Sequence, residues 1–189
     1  MKTDPRPLLL WLIIGASTSG CAEAPPESAE SPDPRPPAIA PAEDRSAQVS
    51  LEVIDAAAWG AVLQRHRGKV VLVDFWATWC GPCVKMFPHT VELHRRFADE
   101  GLVVISVSLD DPDEEAAVRD FLVRHRATFE NYLSAYGVGS ETFEAFEIDA
   151  VPHFRIYDRD GVLAEEFVGG SGPIDLEQLD RAVEGMLSP

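Results

Sequence analysis

Cys80 and Cys83 are the residues of this chain best suited to chemistry, since they stand three apart with only Gly81 and Pro82 between them. A dithiol at that spacing can exchange with a disulfide: one thiolate attacks, and the second thiol resolves the mixed disulfide from within. The pair follows an apolar run and opens a segment of helical periodicity, so it sits where a strand passes into a helix. A helix N-terminus offers partial positive charge and unpaired backbone N–H groups. Cys80 is therefore predicted to have the lowered thiol pKa and to attack, with Cys83 resolving. Zinc is the other common use of such a pair, but it takes four ligands. No second pair of cysteines exists, and His89 and His94 lie further along the same helix, where surface or packing roles suit them. No metal and no other cofactor is expected.

The elements that must hold this pair can be read on either side of it. Lys69 to Trp76 is almost unbroken apolar sequence, which fits a strand covered on both faces. Asp74 interrupts it. A carboxyl in such a strand has its pKa raised by desolvation and becomes a proton acceptor that works near neutral pH; a hydrogen-bonded structural carboxylate is the alternative. Trp79 is expected to shield the disulfide and offer an apolar contact, and Trp76 to belong to the core. After the cysteines, Val84, Phe87, Val91 and Phe97 mark a helix to about Ala98.

Upstream, Val49 to Ile54 reads as a strand, and Asp55 caps a helix to about Arg67 that Gly68 stops. Downstream come a buried strand over Leu102 to Leu109 and a surface helix over Asp113 to Arg126. Strands over His153 to Asp158 and Val162 to Val168 are joined by Arg159-Asp160-Gly161 as a hairpin. Ile174 to Leu187 closes the chain as a helix. Strands alternating with helices define an α/β fold. Just before the His153 strand stands Val151-Pro152. A cis bond there would leave the Val151 backbone free to pair with an extended substrate segment, whereas a trans proline would simply open an edge strand.

The first 47 residues belong to no core. Lys2 and Arg6 precede the apolar run Leu8 to Ile14, then small residues lead to Cys21, the order of a secretory signal peptide. The run is too short to span a bilayer, which needs about 20 residues. Ser19-Gly20-Cys21 resembles the end of a bacterial lipobox, with Thr18 where an aliphatic residue is usual; the resemblance implies lipidation at Cys21. Prolines 25, 26, 32, 34, 36, 37 and 41 make residues 21–47 an extended, disordered tether, with a reach of up to about 80 Å. The expected organisation is thus a leader over 1–20, a tether over 21–47 and one domain over 48–189. With 32 acidic side chains against 16 basic ones, nucleic acid is excluded as a partner. From residue 48 onward the count is 25 acidic to 12 basic, so the domain itself carries the imbalance.

Val73-Asp74-Phe75-Trp76-Ala77-Thr78-Trp79-Cys80-Gly81-Pro82-Cys83 resembles the active-site strand and turn of thioredoxins. The likeness extends to Pro88, where that family has a helix-kinking proline, and to Val151-Pro152, where it has a cis-proline. It implies a thioredoxin fold, a central mixed sheet flanked by helices, and it implies that Asp74 helps to deprotonate Cys83. Asp110 to Val138 is longer than in small thioredoxins and is read as an inserted helix and strand. With the leader, this resembles the membrane-attached ResA and TlpA group. The resemblance implies an extracytoplasmic, periplasmic-side protein that reduces disulfides of exported proteins such as apocytochrome c. It also implies a membrane electron donor of thiol-transfer type; a monomer is expected. An oxidase that donates its disulfide and a tethered binding or metal-delivery module are the alternatives.

Overall fold

The computed structural model describes residues 49–188. The expected leader, Cys21 and the tether lie outside the described residues. Strands and helices follow one another as β1 (Glu52–Ile54), α1 (Ala56–Arg65), β2 (Val70–Trp76), α2 (Gly81–Phe97), β3 (Leu102–Ser108), α3 (Glu115–His125), β4 (Glu130–Ser134), α4 (Ser140–Ala145), β5 (His153–Tyr157), β6 (Leu163–Val168) and α5 (Leu176–Leu187).

The strands form one mixed sheet in the order β1-β4-β3-β2-β5-β6, with β1 to β4 mutually parallel and β5 and β6 antiparallel to their neighbours. All seven residues of β2 are buried, as its apolar run requires of a strand with neighbours on both sides and helices on both faces. On one face Phe75 packs against Trp59 of α1 and against Phe146. On the other, Trp76 stacks on Phe87 of α2 and Phe121 of α3, each with ring centres 4.6 Å apart.

Local signals explain most element ends. Asp55 accepts the Ala58 N–H at 2.8 Å and so starts α1. That helix stops at Arg65, two residues short of the sequence expectation, and Gly68 turns the chain with φ +88°. Its N–H then bonds the Arg159 carbonyl. Asp175 caps α5 by accepting the N–H groups of Glu177 and Gln178, so this helix begins at Leu176 and not at Ile174. The first strand is shorter than the apolar pattern suggests, because only Glu52 to Ile54 find partners on β4. Along α2 the buried face runs through Cys83, Phe87, Thr90, Leu93 and Phe97, with Val84 and Val91 at its half-buried margin. The expected extra helix and strand are α3 and β4. α4 was not foreseen.

Candidate active site

Parallel order in β1 to β4, with β5 reversed, brings the loops after β2, β3 and β4 and the loop before β5 to one end of the sheet. Cys80 lies there. Its N–H bonds the Ala77 carbonyl at 3.2 Å, closing a turn between β2 and α2. Its backbone is extended (φ −85°, ψ 97°), which makes it the N-cap of α2, and its Sγ accepts the Cys83 N–H at 3.2 Å. Sulfur thus takes the place of the usual capping oxygen and faces the positive end of the helix. Pro82 fits the first turn, where a missing N–H breaks no helical bond.

Cys80 and Cys83 are joined as a disulfide, with Cα atoms 5.2 Å apart. Both are enclosed, at 5% and 2% exposure, whereas Trp79 beside them is 49% exposed. Gly81 and Pro82 are exposed as well. The reachable rim of the site is therefore the Trp79 ring and the Gly81-Pro82 backbone.

Asp74 sits in the middle of β2, between Ser106 of β3 and Phe154 of β5. Its carboxyl is buried, and Oδ2 accepts the Thr90 hydroxyl of α2 at 2.6 Å. Burial drives its pKa up to about 7, against the opposing pull of the Thr90 bond. Asp74 therefore faces the same helix that carries Cys83, seven residues before Thr90.

The Val151-Pro152 bond is cis. Because Phe75 pairs with His153, these two residues lie beside the chain as it leaves β2 toward the cysteines. Two contacts hold them. The Pro152 carbonyl accepts the Gly169 N–H at 2.9 Å, and a Cβ on Gly169 would come within 2.8 Å of Pro152 Cδ. Arg155 fixes the preceding segment by donating to the carbonyls of Phe146 and Glu147, while its Nε meets Glu166 at 2.7 Å. His153 also reaches Glu166, at 3.1 Å. Burial pushes the His153 pKa down, and the Glu166 bond opposes it.

Among the described residues no three His, Cys, Asp or Glu side chains gather as a metal ion would require. His89 pairs with Asp180 of α5, and His94 lies edge-on to Phe129. Among the described residues no helix is long and apolar enough to cross a membrane.

Sequence reasoning passed over three residues of this region. Arg155 stands out, in retrospect, as a cation inside the run His153 to Tyr157. Gly169 and Asp110 offered no such signal: one reads as a loop glycine, the other as the start of an Asp-Asp-Pro turn.

A mixed sheet of this order, with a disulfide whose first cysteine caps a helix and a cis-proline beside it, defines the chain as a thioredoxin-fold protein. The Redoxin family model matches residues 61–183, and the chain belongs to that family. Among its relatives, the thiol-disulfide oxidoreductase ResA of Bacillus cereus is 30% identical over 125 residues, covering 66% of this chain and 65% of that protein. The thioredoxin-like protein YneN of Bacillus subtilis is 32% identical over 117 residues, covering 61% and 66%. The chain thus spans slightly under two thirds of the length of these relatives. Among solved structures, a DsbE-type thiol:disulfide interchange protein from Chlorobium tepidum superposes with a TM-score of 0.57 at 29% identity, covering 67% of this chain and 85% of that one.

Proposed function

We propose that this protein is a thiol-disulfide oxidoreductase that reduces disulfides of exported proteins through Cys80 and Cys83. The observation that carries the reading is the N-cap sulfur of Cys80, which accepts the Cys83 N–H while Cys83 lies buried one turn behind. The names of its relatives, a thiol-disulfide oxidoreductase and a thiol:disulfide interchange protein, support the exchange chemistry.

In the reduced protein the Cys80 thiolate attacks one sulfur of a substrate disulfide. That S–S bond breaks, a mixed disulfide forms, and the first substrate thiolate leaves and takes a proton. Cys83 then gives its proton to Asp74 and attacks the Cys80 sulfur; the mixed disulfide breaks, and the second substrate thiolate leaves and takes that proton from Asp74. The substrate gains two electrons and two protons, one proton from solvent and one from Cys83 by way of Asp74, and the protein is left with the Cys80–Cys83 disulfide. Asp74 acts through intervening water, since Thr90, which bonds its carboxyl, lies about 10 Å along the helix axis from Cys83 at the α-helical rise. Trp79, Gly81 and Pro82 form the contact rim, and the Val151 backbone receives an extended substrate segment.

Lipidation at Cys21, the tether over 21–47 and an extracytoplasmic site of action complete the proposal. A membrane dithiol donor returns the electrons, and an apocytochrome c disulfide is the substrate favoured by the likeness to ResA. The domain is taken to work as a monomer.

Purified protein should accelerate insulin reduction by dithiothreitol, and Cys80→Ser should abolish the acceleration; activity that survives this change would refute the assignment. In cells, Cys83→Ser should accumulate a mixed disulfide on Cys80 with its substrate. A mostly thiol state of the pair in the cell supports reduction, and a mostly disulfide state would reverse the direction.

A further inference from the structure

The turn that delivers Cys80 has no ladder of its own, and it is fastened from the neighbouring strand. Asp110, the second residue beyond β3, is fully buried. Its carboxylate accepts the Thr78 N–H at 3.0 Å and the Thr78 hydroxyl at 2.5 Å. It also accepts the Ser108 hydroxyl at 2.5 Å, while its own N–H returns a bond to that hydroxyl at 3.2 Å. Thr78 lies inside the turn closed by Cys80 N–H and the Ala77 carbonyl. One carboxylate therefore holds both the backbone and the side chain of a residue two positions before the attacking sulfur. Asp110 is itself braced from behind: the next residue, Asp111, accepts the Val138 N–H at 3.0 Å.

We infer that Asp110 is a positioning residue for Cys80, holding the Ala77 to Cys80 turn so that the sulfur stays on the Cys83 N–H and the helix N-terminus. The inference rests on the thiol-exchange reading of Cys80. Geometry and charge act in opposite directions at this place. A nearby negative charge disfavours a thiolate, so a purely electrostatic Asp110 would raise the Cys80 pKa and its removal would lower it. A positioning Asp110 does the reverse, because loss of the clamp frees the sulfur from the donors that stabilise its ionised form.

The test is the pH profile of iodoacetamide capture at Cys80, read on the Cys80 peptide by mass spectrometry. It uses the full chain in a Cys83→Ser background, which keeps Cys80 as a thiol and leaves the residue 83 N–H in place. Asp110→Ala should raise the apparent Cys80 pKa and slow capture at pH 7 by about two- to fivefold, the reach of a helix-terminus charge interaction. Asp110→Asn retains an acceptor for Thr78 and should hold the pKa at or below that of the parent. An unchanged profile in Asp110→Ala, or a lowered pKa in both variants, overturns the inference. Should Asp110→Ala fail to fold, Thr78→Val removes only the hydroxyl bond. It should raise the pKa by a smaller amount, and an unmoved profile there is equally fatal. A parent Cys80 no more reactive than free cysteine would instead sink the thiol-exchange reading, whatever the Asp110 variants do.

Discussion

In the proposed mechanism Asp74 joins the stability of the domain to its chemistry. Its pKa is about 7 in the folded chain and 3.8 when unfolded, with burial as the main cause. Between those values the folded state holds a proton that the unfolded state has lost, so stability falls as pH rises from about 4 to about 7 and then levels off. The loss is on the order of a few kcal/mol. Asp74→Asn keeps an acceptor for Thr90 and removes the ionisable group. Denaturant midpoints at pH 5 and pH 8 should therefore differ much less in this variant than in the parent, and at pH 8 the variant should be the more stable protein. Single-turnover resolution of the Cys80 mixed disulfide should be slower in the same variant if Asp74 takes the Cys83 proton. Cys80, Cys83, Asp74 and Pro152 were legible because each is unusual within its own segment: a thiol pair, an acid in an apolar strand, a proline ahead of a strand. Asp110 and Arg155 work through partners distant in the chain, such as Thr78, which is 32 residues before Asp110. No local pattern announces such a pairing.

Among the elements, the turn that follows β6 supports the site through one glycine. A methyl group on Gly169 would lie 2.8 Å from Pro152 Cδ and 3.2 Å from the Pro152 carbonyl oxygen, and the backbone atom cannot swing aside as a flexible side chain would. Gly169→Ala should displace Pro152 and slow insulin reduction several-fold, with little change in the iodoacetamide reactivity of Cys80; equal losses in both assays would place the effect elsewhere. Gly137 is constrained in a different way. It has φ +70°, and a Cβ there would meet Asp111, so Gly137→Ala should lower stability by roughly 1–3 kcal/mol, measurable by thermal unfolding. The long elements were legible from their apolar periods, and their ends moved only where a cap or a pairing partner decided the matter. α4 escaped because six residues, Ser140–Ala145, give too short a window for a helical period. Its position depends on Thr142, which bonds the Gly137 carbonyl and Ser134, and on Arg155 holding the carbonyl of Phe146 just past its end.

For the molecule as a whole, a net charge of −16 governs how it meets partners. Exchange with a lysine-flanked peptide disulfide should slow, and exchange with a glutamate-flanked one should quicken, when salt is raised from about 20 to about 200 mM. Stopped-flow rates check this, and parallel responses of the two peptides would show that charge does not steer the encounter. The mixed α/β architecture was legible because the alternation of strands and helices is written in the apolar pattern, whereas the strand order depends on pairings such as β1 with β4 that cross most of the domain. The sheet also divides the site between two grades of permanence. The turn that carries the cysteines hangs from β2, an enclosed strand with neighbours on both edges. Pro152, just ahead of the equally enclosed β5, also leans on Gly169 just past β6, an edge strand exposed along most of its length. Amide protons of β2 should accordingly be among the last to exchange with deuterium, and those of β6 among the first. If the proposed substrate segment lies along Val151, breathing at that rim would loosen the grip on it and leave the sulfur chemistry undisturbed, so product would be released without the redox pair losing its setting.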